Sequence, residues 1–183
     1  MRRTELDDTL LKALAVAIVD RPRATVKALA EAVGVSKATL HRLCGTREAL
    51  IEQLMAHTSV VMKRLIAAAN LEHAAPPEAL RALIDGHLAE RELLLFLIFQ
   101  YKPDTLAWTD PASPWNPYIA ALDGYFLRGQ QAGFFRIDIS AAVLSDLFAS
   151  LLIGMIDAER NGRAAPAASA RVLESMFLRG AAG

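Results

Sequence analysis

Residues 25–50 of this 183-residue chain read TVKALAEAVGVSKATLHRLCGTREAL. The Thr25 hydroxyl is placed to cap a helix. Val26, Leu29, Ala30 and Val33 then recur at helical spacing, with Lys27 and Glu31 off that face. Gly34 follows the last apolar position, where a left-handed cap residue belongs. Ser36 is placed to cap a second short helix, for which Leu40 and Leu43 supply an inner face. Lys37, Thr39, His41 and Arg42 are left to point elsewhere. Two short helices joined by a Gly-containing turn, the second polar and basic outside, have the geometry that seats a recognition helix in a major groove.

The flanks extend the pattern. Upstream, Leu6, Leu10, Leu14 and Ile18 fall four apart, with Asp7 and Asp8 in the first turn of the helix they predict. Arg2 and Arg3 form a short basic arm before it. Downstream, Thr46-Arg47-Glu48 opens a long helix.

Composition sets the outer limits. With 54% hydrophobic and 22% charged residues the chain reads as ordered and globular. Its net charge is zero, but the charge is divided: residues 1–50 hold nine Lys/Arg against six Asp/Glu, and the remainder holds eleven against fourteen. The basic excess lies on the half with the helix-turn-helix pattern, as attraction to phosphate requires. Cys44 is the single cysteine, so an intrachain disulfide is excluded, in keeping with a reducing cytoplasm. It reads as a small packing residue. The charged start, Met1 to Asp8, is unlike a secretory leader. The apolar run Leu93–Phe99 is only seven residues and too short to span a bilayer, so no membrane association is expected.

Beyond residue 50 the periodicity stays helical. One helix is expected to run to about Asn70. Pro76-Pro77-Glu78 opens another through Leu80, Leu83, Ile84 and Leu88 towards Phe99, with Gly86 as a point of interruption. Tyr101–Pro117, with four prolines and two tryptophans, reads as a loop. Helices follow over Pro117–Ala132, closed by Gly133, over Ser140–Asn161, and from Pro166 onward. Leu144, Leu147, Phe148, Leu151, Leu152 and Met155 give the penultimate helix a broad apolar face. Ala149, Ser150 and Gly154 would allow another helix to approach closely.

The motifs resemble those of TetR-family transcriptional regulators: Thr25–Ala30, Ala32–Ser36, Thr39-Leu40 and Arg47–Leu50. The resemblance covers roughly the first 55 residues. Three positions depart from it. Ala38 stands where the family usually has Gly, His41 where it has Tyr, and Cys44 where it has Phe. His41 keeps the capacity to hydrogen-bond a phosphate. The resemblance implies an all-α fold: a three-helix DNA-binding domain over residues 1–50, then a helical ligand-binding and dimerisation domain over residues 51–183. It further implies that the last two helices, residues 140–180, pair with those of a second copy, and that a cavity lies between the central helices.

The expected DNA surface comprises Thr25, Ser36, Lys37, Thr39, His41, Arg42 and Arg47. Thr25 and Arg47 stand at helix N-termini, which favour phosphate. Lys37 and Thr39 are best placed for base edges. The partner is then double-stranded DNA with a pseudo-palindromic operator. Met62, His87, Phe96, Phe99, Gln100, Tyr118 and Tyr125 are the candidate effector-binding residues within a central region rich in aromatics, which also includes Leu94, Tyr101, Trp108, Trp115 and Phe126. Large apolar side chains with a few polar groups suit an uncharged hydrophobic or aromatic molecule. No cofactor or metal is expected, because His41, His57, His73 and His87 show no ligand spacing. There is no phosphate-binding glycine loop or nucleophile elbow, so an enzyme or carrier ranks below a ligand-released repressor and below a DNA-binding dimer without an inducer.

Overall fold

A computed structural model describes residues 7–100, 113, 115–181 and 183. The expectations placed on Arg2, Arg3, Leu6, Tyr101 and Trp108 lie outside the described residues. Among the described residues there are nine α-helices and no strand: α1 Asp8–Asp20, α2 Val26–Ala32, α3 Lys37–Cys44, α4 Arg47–Ala68, α5 Pro76–Ala89, α6 Arg91–Gln100, α7 Asn116–Gln131, α8 Ala141–Arg160 and α9 Pro166–Ala181.

Local chemistry sets most of the boundaries. Side-chain oxygens accept from backbone amides at the starts of five helices: Asp7 from Leu10 at 2.7 Å, Thr25 from Ala28 at 3.3 Å, Ser36 from Thr39 at 3.0 Å, Thr46 from Ala49 at 3.1 Å and Ser140 from Val143 at 3.3 Å. Gly34 closes α2 at φ +71°, a conformation that a side chain would strain.

The chain divides into two compact units. The first comprises Met1–Val60 with Glu92–Tyr101, the second Val61–Arg91 with Lys102–Gly183. In the first, Leu10, Leu14 and Ile18 of α1, Leu29 of α2, Leu40 of α3, and Leu50 and Leu54 of α4 are fully buried, as are Leu93 and Phe96 of α6. In the second, α7 packs on α8, α5 on α8 and α9, and α8 on α9. Its centre is aromatic. Tyr125, Phe126, Phe135, Phe148 and Phe177 form a network with centroids 4.9 to 6.3 Å apart, mostly tilted or edge-on. Gly129 lets the Phe135 ring approach α7, since a Cβ there would overlap the ring.

One boundary differs from the sequence reading. Gly86 does not interrupt the helix that begins at Pro76. It lies inside α5, where a Cβ would sit 2.8 Å from Leu65 Cγ, so this glycine serves close packing with α4. The break falls at Glu90 instead (φ −111°, ψ 26°). Arg91 braces the break: Nε donates to the Leu88 carbonyl at 2.6 Å and Nη1 to Glu159 at 2.9 Å.

Among the described residues, α8 is long and apolar enough to cross a membrane, with mean hydropathy 1.7. It is nonetheless two-sided. Leu144, Phe148, Leu152 and Ile156 are buried, while Asp146 and Asp157 are exposed.

Candidate nucleic-acid interface

Helix α3 sets a polar, basic surface over an apolar keel. Leu40 and Cys44 are buried, and Leu43 is only half-buried, so the keel follows an i, i+4 line through Cys44 rather than through Leu43. Ser36, Lys37, His41 and Arg42 are exposed. The Ser36 cap does more than accept from the Thr39 amide, because its Oγ also lies 2.8 Å from Thr39 Oγ1. Thr39 is thereby fixed beside Lys37 at the N-terminal end of α3, the end whose side chains reach base edges in helix-turn-helix proteins. Cys44 Sγ donates to the Leu40 carbonyl at 3.1 Å, and burial pushes its thiol pKa up. Both effects suppress the thiolate that redox chemistry requires.

Thr25 is exposed at the start of α2 and Arg47 half-buried at the start of α4. Arg47 has a second engagement that sequence spacing does not reveal. Its Nη2 donates to the Pro22 carbonyl at 2.8 Å, and its Nε is buried without a partner. This bond sets the start of α4 beside the α1–α2 turn, which carries the exposed Arg21 and Arg23. Sequence reasoning passed over those two cations. The signal available for them was the basic excess of the first fifty residues.

The seven candidate effector residues are divided between the units. Met62, His87, Tyr118 and Tyr125 belong to the second, and Phe96, Phe99 and Gln100 to the first. Met62, His87, Phe96 and Tyr125 are buried, Gln100 and Tyr118 half-buried, and Phe99 is 42% exposed. His87 and Tyr118 form a polar pair. His87 Nδ1 lies 2.6 Å from the Leu83 carbonyl, so it carries the proton, and Nε2 accepts from the Tyr118 hydroxyl at 2.6 Å. Burial holds His87 neutral, with its pKa lowered to about 4, and raises that of Tyr118. The Tyr125 hydroxyl donates to the Pro76 carbonyl at 2.6 Å. His57 pairs with Asp8 at 3.0 Å. Two clefts formed by the described residues lie elsewhere, one along α1 and one between α4 and α7, and none of the seven lines either.

A Ser-capped basic helix behind a glycine turn, followed by a long helix into an all-helical second unit, defines a helix-turn-helix transcriptional regulator. The chain belongs to the TetR family of such regulators. It is 61% identical over 175 residues to the HTH-type transcriptional regulator NfxB of Pseudomonas aeruginosa, a match covering 96% of this chain and 94% of the relative. Its fold is similar to that of the TetR-family regulator PfmR from Thermus thermophilus, with TM-score 0.67 and 26% identity over 94% of this chain and 98% of the other. It is also similar to that of LfrR from Mycobacterium smegmatis, solved in complex with proflavine, with TM-score 0.72 and 20% identity over 93% of each chain. No protein-family model matches the chain.

Proposed function

We propose that the protein is a homodimeric cytoplasmic repressor that holds a pseudo-palindromic operator through α3 and leaves it when a small hydrophobic or aromatic effector binds. The observation that carries this reading is α3 itself: Lys37, His41 and Arg42 exposed, Thr39 pinned by Ser36, and Leu40 and Cys44 anchoring the opposite face. Thr25, Ser36, Arg42 and Arg47 supply phosphate contacts, and Lys37 and Thr39 read bases.

Dimerisation rests on the apolar flank of α8 and α9. Val143, Leu147, Ile153 and Met176 are 43%, 47%, 39% and 60% exposed, and the small residues Ser150 and Gly154 are exposed among them. This surface suits a second copy, which would cover it symmetrically and present two recognition helices to two half-sites. The effector reading draws on the His87–Tyr118 pair, a polar handle set among aromatics. LfrR, a structural neighbour, was solved with an aromatic compound, proflavine.

Footprinting of the purified protein on its own genomic region identifies the operator. Titration of that fragment against salt should then give log K falling linearly with log salt, and aromatic effectors should raise the operator dissociation constant. A DNA-binding dimer that no effector displaces is the second reading. The observation in its favour is that the candidate effector residues are packed or exposed and none lines a described cleft. Calorimetry of the protein with neutral aromatic compounds separates the two: no heat of binding and no operator release would select the second.

A further inference from the structure

Arg128 stands in the last turn of α7, and its Nη2 is buried without any hydrogen-bond partner. A guanidinium keeps its charge at every physiological pH and offers five donors in a fixed plane. A buried donor of that kind with no acceptor is rare in native proteins and marks a place where an acceptor belongs. Arg128 lines a cavity of about 340 Å³ between the end of α4, the turn after it and one face of α7.

The walls give the occupant its chemistry. Ile66 and Leu71 offer aliphatic surface on one side, and Ala121 and Gly124 keep α7 small on the other. Ala121, Gly124 and Arg128 share one stripe of α7, whereas Tyr118, Leu122 and Tyr125 occupy a different one. The cavity is therefore separate from the His87–Tyr118 pair. Glu72, exposed on the same wall, limits the negative charge the site accepts. Arg128 supplies the cavity lining with its guanidinium and Glu72 with its carboxylate, with the exposed His73 beside it, a balance that suits a monoanion over a phosphate dianion. The volume lies at the small end of ligand sites.

We propose that this cavity binds a small aliphatic monocarboxylate, its head on Arg128 and its hydrocarbon between α4 and α7. The proposal does not depend on the effector assigned above, since it concerns another face of α7.

Octanoate and 1-octanol, titrated calorimetrically into the full-length protein, test it. Octanoate should bind roughly tenfold more tightly than octanol, as a charge-assisted hydrogen bond provides. Arg128→Gln should abolish that preference, Glu72→Gln should tighten octanoate, and Ala121→Phe should fill the cavity and abolish octanoate binding with the guanidinium still in place. Thermal melts identify any variant that fails to fold. The ¹⁵N side-chain resonances of arginine in the unaltered protein give a readout that needs no variant, because one guanidinium should shift on adding octanoate. Octanoate binding that survives both Arg128→Gln and Ala121→Phe, equal affinity for the two probes, or no binding and no guanidinium shift at millimolar octanoate would each overturn the proposal.

Discussion

His87 is a histidine that the second unit keeps from charging. Its Nδ1–H is engaged by Leu83, its Nε2 by Tyr118, and burial lowers its pKa from the ordinary 6.5 to about 4. The unfolded chain takes up a proton near pH 6.5 that the folded chain refuses until about pH 4. Stability contributed by the neutral form is therefore complete above 6.5 and lost as pH falls towards 4, a total on the order of 3 kcal/mol. His87→Gln, which keeps a donor and an acceptor, should melt with a flatter pH dependence between 6.5 and 4 than the unaltered protein; parallel curves would contradict the assignment. Arg47 carries two tasks at once. Removing it in Arg47→Ala deletes the bond to Pro22 and should cost about 1 kcal/mol of stability. The same change should flatten the dependence of log K on log salt by roughly one unit for every DNA sequence. A lowered melting temperature with an unchanged slope would leave Arg47 as a brace alone. The sequence marked both residues by type and position. Their partners, Tyr118 at thirty-one residues' remove and Pro22 at twenty-five, are tertiary facts that no local pattern carries.

At the scale of elements, what was legible was what is chemically local. Thr25 and Ser36 cap the helices whose starts they mark in the sequence, because a cap needs only a side chain and an amide two or three residues on. Gly133 closes α7 at φ +71° for the same reason. Gly86 and Gly129 were not legible in this way. A glycine inside a helical pattern reads as a weak point, yet each here makes room for a side chain from elsewhere, Leu65 and Phe135 respectively. Gly129→Ala tests this directly. Alanine is the better helix former, so a glycine kept only by accident would gain up to about 1 kcal/mol on replacement. Forcing the Phe135 ring away from α7 should instead destabilise by about 1–3 kcal/mol, seen as a fall of several degrees in melting temperature. A rise would mean that the ring moves aside freely.

For the whole molecule, the sequence divides charge and motif after residue 50, while the apolar run of α6 carries no address. That Glu92–Tyr101 clusters with the N-terminal helices depends on what Leu93 and Phe96 meet after folding. The same limit applied to α8, whose apolar residues could not be sorted in advance into inner and outer sets. Leu152 is 3% exposed, whereas Leu147 is 47% exposed. The distinction decides how the dimer is tested. Leu152→Arg would bury an unpaired charge in the core of one chain, and any loss of association would follow from unfolding. Leu147→Arg leaves the isolated protomer with a solvated arginine, so its secondary structure should be retained. In a dimer built on α8 and α9 that arginine would be desolvated without a partner, costing several kcal/mol, and association should fail. Sedimentation at micromolar concentration should then find a dimer for the unaltered protein and a folded monomer for Leu147→Arg. Operator affinity should fall with it by about 10²-fold or more, because the second half-site is no longer held at high effective concentration. Affinity for an isolated half-site should stay unchanged, since α3 is untouched. An unaltered protein that sediments as a monomer, or a Leu147→Arg variant that remains dimeric, would remove this face of α8 from the interface.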